Sequence, residues 1–376
     1  MNLDPLVEER LARRPAGSPP VQRILERAVD GGRVTAGEAL LLLRAAPLLD
    51  LGIAADLVRR RVHPEPVVTY IVDRNVNYTN VCVVRCSFCA FYRDPGHPEG
   101  YLHSKESLFA KIEETLAIGG TGVLMQGGHH PDLPLEWYED LIGSIRTRYP
   151  TLHLHAFSPP EIHHIGRVSG RPIREVLERL KKAGLDSIPG GGGEILVDEV
   201  REKISPLKTR SAEWLEVMET AHRLGIPSTA TMMFGHVETY EDRVTHMTRI
   251  RDLQDRSLAR GPVGFTAFIS WTYKTENTAL GGEEVGSADY LRTQALSRLF
   301  FDNIPNIQSS WVTQGKEIGQ VALRFGANDM GSTMIEENVV RAAGAHGCTT
   351  RVEIERLIRE AGYVPRQRDT LYRPVA

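Results

Sequence analysis

From Pro66 onward the chain alternates short β-branched runs with longer amphipathic ones, and this alternation constrains the fold more than any other feature. Val67-Val68-Thr69-Tyr70-Ile71-Val72 is nearly continuous in apolar and β-branched residues, the texture of a strand covered on both faces. A helical face follows at Leu108, Ile112 and Leu116, and Gly119-Gly120 stops it. The unit recurs in type, though not in sequence. Strands are expected at 122–126, 152–157, 187–189, 229–234, 264–270, 307–312 and 322–325. Helices are expected between them, over 135–148, 173–182, 212–224, 240–254, 288–301 and 315–319. Thr239, with Asp242 three residues on, resembles a capping box. Strands separated by helices make βαβ units and a parallel sheet. About eight of them fit a closed (β/α)8 barrel of TIM type, with an open doubly wound sheet as the alternative. The barrel is expected over 66–334. Residues 1–65 read as a helical collar, with Val21, Ile24, Leu25 and Ala28 at helical spacing. Residues 335–376 read as a helical extension with runs over 336–343 and 352–361.

In parallel α/β folds the site lies at the C-terminal ends of the strands. The first strand leads into Cys82-Val83-Val84-Arg85-Cys86-Ser87-Phe88-Cys89, which holds three of the four cysteines of the chain. Three residues and then two separate them, so one loop can bring three thiolates to one face of an iron–sulfur cluster. Three protein ligands would leave one iron open. Structural zinc prefers four tetrahedral ligands. Cys348 stands alone far downstream, although a histidine could complete such a set. A zinc-stabilised binding protein is therefore the non-enzymatic alternative.

The other strand ends are rich in glycine and polar groups. They carry Gln126-Gly127-Gly128, Ser158-Pro159-Pro160-Glu161, Gly190 to Gly193 with Glu194, Gly235-His236-Val237-Glu238 and Trp271-Thr272-Tyr273. Glycine allows a turn or a close backbone approach to a ligand. No phosphate-binding spacing is present, and Glu194 is suited to accept bonds from a ribose diol. His153 and His155 share one face of a strand. A second metal is one reading of the histidines. Satisfied structural histidines, with one or two acting on substrate, is the other.

Net charge is −3 and no basic tract occurs, so no nucleic-acid partner is expected. No apolar run reaches 18 residues, the length of a membrane span, and the N-terminus lacks the apolar core of a secretory signal. A cytoplasmic protein is expected. In a reducing compartment clustered cysteines read as metal-binding or catalytic.

Cys82-x3-Cys86-x2-Cys89, with Phe88 before the last cysteine, resembles the signature of the radical S-adenosylmethionine (SAM) superfamily. The likeness continues through 77–82, 89–93, 125–128, 236–239, 264–269, 302–308 and 327–333, and through the tail ending Arg368-Asp369-Thr370-Leu371-Tyr372. There the chain resembles the cyclic dehypoxanthinyl futalosine synthases. Cys348 has no part in the resemblance.

The resemblance implies a [4Fe–4S] cluster on Cys82, Cys86 and Cys89, with SAM on the open iron. It implies conversion of dehypoxanthine futalosine to its cyclic product in menaquinone biosynthesis. A 5′-deoxyadenosyl radical would take hydrogen from ribose C4′, and the carbon radical would add to the benzoate ring. It implies cofactor contacts at Gln126, Gly127, Gly128, Ser158, Glu194, Gly235 and Glu238. The benzoate needs a donor, for which Thr272, Gln308, Ser310 and Asn328 are candidates. The base is open among His155, Glu161 and His236. A flavodoxin or ferredoxin is the expected electron donor. The aminofutalosine synthase of the same pathway shares the cysteine loop and is the enzymatic alternative. Asn77-Tyr78-Thr79-Asn80 and residues 302–333 favour the cyclase.

Overall fold

The computed structural model describes residues 18–345 and 347–375. The first seventeen residues of the expected collar lie outside the described residues, as do His346 and Ala376. The strands are β1 (Val67–Ile71), β2 (Asp73–Val76), β3 (Gly122–Met125), β4 (His153–Ala156), β5 (Ser228–Phe234), β6 (Phe265–Thr272), β7 (Asn306–Gln308), β8 (Asp329–Ser332) and β9 (Val364–Arg368). β1 and β2 are halves of one extended run broken at Val72. β2 pairs with β3, and β3 with β4. Parallel bridges His155↔Ser187 and Ile188↔Ser228 then carry the sheet across to β5. β5 through β8 follow in order, and β8 returns to β1. Every one of these pairings is parallel, so the ring is a closed (β/α)8 barrel.

The N-terminal helices, Pro19–Val29, Ala36–Ala45 and Leu48–Val62, share one apolar core with the barrel through residues such as Leu42, Leu51 and Ala55. Thr35 and Glu38 form a reciprocal capping box at the second of them. The box expected at Thr239 and Asp242 also forms and starts helix Tyr240–Leu258.

The second half departs from the expected boundaries. The seventh strand ends at Gln308, and Trp311–Gln314 is helical. The helix expected over 315–319 forms as Lys316–Ala322, and the stretch 322–325 expected as the eighth strand is its end and the turn after it. Ala322 and Leu323 there are buried against the core, which gives the stretch its strand-like texture. The eighth strand is instead the polar Asp329–Ser332. It can be buried because Arg368 meets Asp329 in a paired contact, Nε to Oδ2 at 2.5 Å and Nη2 to Oδ1 at 2.9 Å. Helices Pro159–Ser169 and Asp198–Ile204 were not anticipated.

The C-terminal extension contains helix Arg351–Glu360 and also returns a strand to the sheet. β9 runs parallel beside β1 from Val67↔Val364 to Ile71↔Arg368. Beyond it the chain turns back, with Arg368 bridged to Pro374. A side chain on Gly122, the first residue of β3, would come within 3.1 Å of Thr370 Oγ1. Residues 368–372 thus close the barrel from the N-terminal ends of its strands. Among the described residues no helix is long and apolar enough to cross a membrane.

Candidate active site

The cysteine loop leaves β2 and is tied down on several sides. Cys82 N–H donates to Arg93 O at 2.9 Å, Val83 N–H to His129 O at 3.1 Å and Ser87 N–H to Ile204 O at 2.9 Å. Leu280 N–H, from the loop after β6, donates to Ser87 O at 2.8 Å. Arg85 sits at φ 51°, a left-handed kink that reverses the chain between the first two cysteines. Cys82 and Cys86 are buried and Cys89 is partly exposed. They form a small cluster with Val84, Phe88 and Tyr92. Burial pushes the Cys86 thiol up to about 12, while Lys208 acts the other way. A coordinated metal reverses that preference and takes the thiolate outright. Among the described residues no three ligand-type side chains converge on a single metal ion. Three cysteines spread around one loop suit a polynuclear cluster, in which different irons take different thiolates.

Gly128 lies against this loop. A Cβ there would stand 2.2 Å from Val81 O and 2.9 Å from Cys82 Cβ, so the glycine is a requirement of close approach. Gly191 does the same further in, where a Cβ would meet Gln126 Nε2 at 2.3 Å. Glu194 is buried at φ 36°. Its Oε1 accepts from Lys208 Nζ at 2.9 Å, and Arg201 Nη1 stands 3.6 Å from Oε2. Oε2 is buried and has no hydrogen-bond partner. Buried polar atoms are normally paired, so Oε2 is an acceptor awaiting a donor. His129 Nε2 is likewise unpartnered, beside Cys82 Sγ at 3.7 Å from Nδ1.

A cavity of about 290 Å³ fills the barrel. Gln126, His155, Gly190 and Gly191 line it from the first half, and Gln308 and Ser310 from the second. His155 Nδ1 lies 2.6 Å from Ser187 Oγ, and burial lowers its pKa to about 3, so the ring is neutral. The structure thus brings Gln126 and His155, of the expected cofactor and base positions, into one chamber with the expected substrate positions Gln308 and Ser310. Gly128 and Glu194 lie beside the cysteines.

Several candidates are instead occupied by the scaffold. Glu161 accepts from Tyr78 OH (2.8 Å), Gly127 N–H (2.9 Å), Ser158 N–H (2.8 Å) and Ser158 Oγ (2.6 Å). Four donors saturate it, so it serves as the capping partner of helix Pro159–Ser169 rather than as a base. Ser158 is that helix's N-cap, its hydroxyl turned to Glu161. His236 accepts from Val237 N–H at Nδ1 (2.7 Å) and faces Met233 O with Nε2 (3.2 Å), which leaves neither nitrogen for a base. Glu238 is taken by the N–H groups of Gly235 and His236 and by Arg243 Nε at 2.8 Å. Asn328 Oδ1 accepts from Arg298 Nη2 and Ile307 N–H, and its Nδ2 donates to Asn306. Thr272 Oγ1 accepts from Gln314 Nε2 at 2.6 Å. Neither Asn328 nor Thr272 lines the cavity.

The cavity also takes residues that sequence reasoning did not single out for a role: Asp73, Asn75, Trp271, Glu337, Arg368 and Tyr372. Arg368 and Tyr372 lie in the tail whose likeness to the family was visible. Nothing local to Asn75 or Glu337 marks them.

The comparisons agree with this geometry. The family model of the radical SAM superfamily matches residues 76–250, and that of the CofH/MqnC C-terminal region matches 262–376. The cyclic dehypoxanthine futalosine synthase of Halalkalibacterium halodurans is 48% identical over 353 residues, 94% of each chain. The aminodeoxyfutalosine synthase of Thermus thermophilus is 39% identical over 362 residues, covering 94% of this chain and 95% of that one. Among solved structures, the [FeFe]-hydrogenase maturase HydG from Carboxydothermus hydrogenoformans superposes with a TM-score of 0.73 at 15% identity, covering 98% of this chain and 83% of that one. That last likeness concerns the fold alone. A closed parallel barrel, a three-cysteine loop at its rim and relatives alike over nearly the whole chain lead to one conclusion: the chain is a radical SAM enzyme and belongs to the family of the cyclic dehypoxanthine futalosine synthases.

Proposed function

We propose that this chain converts dehypoxanthine futalosine to its cyclic product in the futalosine route to menaquinone. The observation that carries the reading is the continuity of the site: Gly128 abuts Cys82, and Gln126 next to it already lines the cavity that Gln308 and Ser310 enter from the far side. The residues present fit the implied cofactors. Cys82, Cys86 and Cys89 would hold the [4Fe–4S] cluster, and the unpartnered Oε2 of Glu194 would accept from the ribose of SAM. Gln126, Gly127 and Gly128 form the backbone segment suited to the SAM amine. When bound, cluster and SAM supply a 5′-deoxyadenosyl radical for hydrogen abstraction at ribose C4′. A flavodoxin or ferredoxin would deliver the electron.

The chain's own part is position and exclusion of water. The barrel wall surrounds the substrate, residues 368–372 close its base, and the loop after β6, tied to Ser87, overhangs the cysteines. Of the three candidate bases only His155 lines the chamber, so it is the surviving candidate for taking the ring proton.

Reduced, reconstituted protein incubated with SAM and dehypoxanthine futalosine should release free 5′-deoxyadenosine and a product two hydrogens lighter than the substrate. Incorporation of the adenosyl group into an enolpyruvyl benzoate would instead make it an aminofutalosine synthase.

A further inference from the structure

The barrel cavity contains a polar pair with no part in the reading so far. Asn75 stands on β2, and Glu337 stands on the segment after β8. Both line the cavity, and each is only 8% exposed. Asn75 Nδ2 donates to Glu337 Oε2 at 2.8 Å. Glu337 Oε1 accepts from the backbone N–H groups of Val339 and Val340 at 2.8 and 2.9 Å. Burial pushes the Glu337 pKa up, and these three donors act against it. Two backbone donors fix Oε1, and Oε2 is the oxygen that faces the Asn75 amide. The Asn75 amide lies with NH2 toward Glu337 and carbonyl away. That carbonyl oxygen, Oδ1, is buried and has no hydrogen-bond partner. A buried acceptor left unpaired is an exception that calls for an occupant.

We propose that Asn75 is a substrate-binding residue that accepts a hydrogen bond from a ribose hydroxyl of the substrate, and that Glu337 is the positioning residue that fixes its amide. The inference rests on the function proposed above and deepens it. Of the polar groups on that substrate, the benzoate carboxylate only accepts and cannot pair with another acceptor. The ribose hydroxyls donate. A fixed hydroxyl fixes the sugar, and with it the C–H bond presented for abstraction.

Three versions of the full chain test this: wild type, Asn75→Ala and Glu337→Gln. The side-chain amide that Glu337→Gln introduces keeps an oxygen for Val339 and Val340 but can offer NH2 to Asn75. The Asn75 amide is then free to turn its own NH2 to the cavity. Each protein is titrated calorimetrically with dehypoxanthine futalosine and with its 2′-deoxy and 3′-deoxy analogues, without SAM. Each is then assayed for KM, kcat and 5′-deoxyadenosine formed per cyclised product. Both variants should bind the substrate about tenfold more weakly, the size of one lost hydrogen bond with its desolvation. KM should rise more than kcat falls, and deoxyadenosine per product should increase. One deoxy analogue should bind all three proteins alike. If wild type cyclises the substrate but both variants match it in affinity and coupling, the inference is overturned alone. If both variants lose equally with substrate and with every analogue, it is likewise overturned. If wild type does not cyclise the substrate, the functional reading fails and takes this inference with it. Should Asn75→Ala fail to fold, Glu337→Gln carries the test.

Discussion

The two halves of the barrel build their parts of the site differently. On the cysteine side much of the work is done by backbone. Gly128 nests on Val81, the cysteine loop hangs from His129 and Ile204, and Glu194 meets Lys208 fourteen residues on. On the substrate side the chamber is made by side-chain pairs. Asn75 meets Glu337 across 262 residues, Asp73 accepts from Ser332, and Arg368 reaches back to Asp329. Backbone contacts fix the cofactor loop with few side chains, whereas the substrate chamber needs paired polar groups. The superfamily's common chemistry and the family's own substrate would accordingly be separable by mutation.

The severest test of that separation is at the loop. Cys86→Ala should abolish SAM cleavage while far-UV circular dichroism and the melting transition show a folded barrel; persistent deoxyadenosine formation would break the comparison at its root. Next comes Arg368→Leu, which leaves Asp329 buried without its partner. Breaking a buried pair from one side costs about 3–5 kcal/mol, and denaturant unfolding should show it. The double variant with Asp329→Leu should recover part of the loss, because no charge is then stranded. Equal losses in single and double variants would show that the pair contributes little as a pair.

A smaller effect is expected in the scaffold common to both halves. His222 lies between Ser257 Oγ at 2.8 Å and Ser228 Oγ at 2.7 Å, and burial lowers its pKa to about 4. The folded state refuses a proton that the unfolded state accepts near the ordinary histidine value of about 6.5. Stability is therefore intact above that value and falls as pH drops toward about 4. The slope from this group is up to about 1.4 kcal/mol per pH unit. His222→Gln should flatten the acid limb of the stability curve in that window and leave the neutral region's slope unaltered. The smallest effect belongs to the fourth cysteine. Cys348 is exposed, and its sulfur stands 4.0 Å from Ile335 O. Cys348→Ser should retain iron content, cyclisation and melting temperature; a loss of iron would add a ligand from the far half.

How much was legible follows the same division. Alternating β-branched and amphipathic runs were enough for the barrel, and the cysteine spacing for the loop, because both depend on near neighbours. The eighth strand was not legible, since Asp329 is buried with the help of Arg368, Thr69 and Gly331, and buried Ala322 and Leu323 imitate a strand at a helix end. His236, Glu238 and Asn328 drew notice as polar groups near strand ends. Arg298 reaches Asn328 from another element, while Met233 and Arg243 are near neighbours of His236 and Glu238 whose pairing depends on how the strand end turns into the helix. Asn75 and Glu337 escaped for the converse reason: each is unremarkable until the fold sets them side by side.

The strand at 364–368 carries one last implication, about time rather than space. β1 is synthesised long before β9, the neighbour that flanks it on the side away from β8. Pairings between ends so remote are slow to form. Until they do, the chamber stands open at its base, with Asp329 lacking its guanidinium.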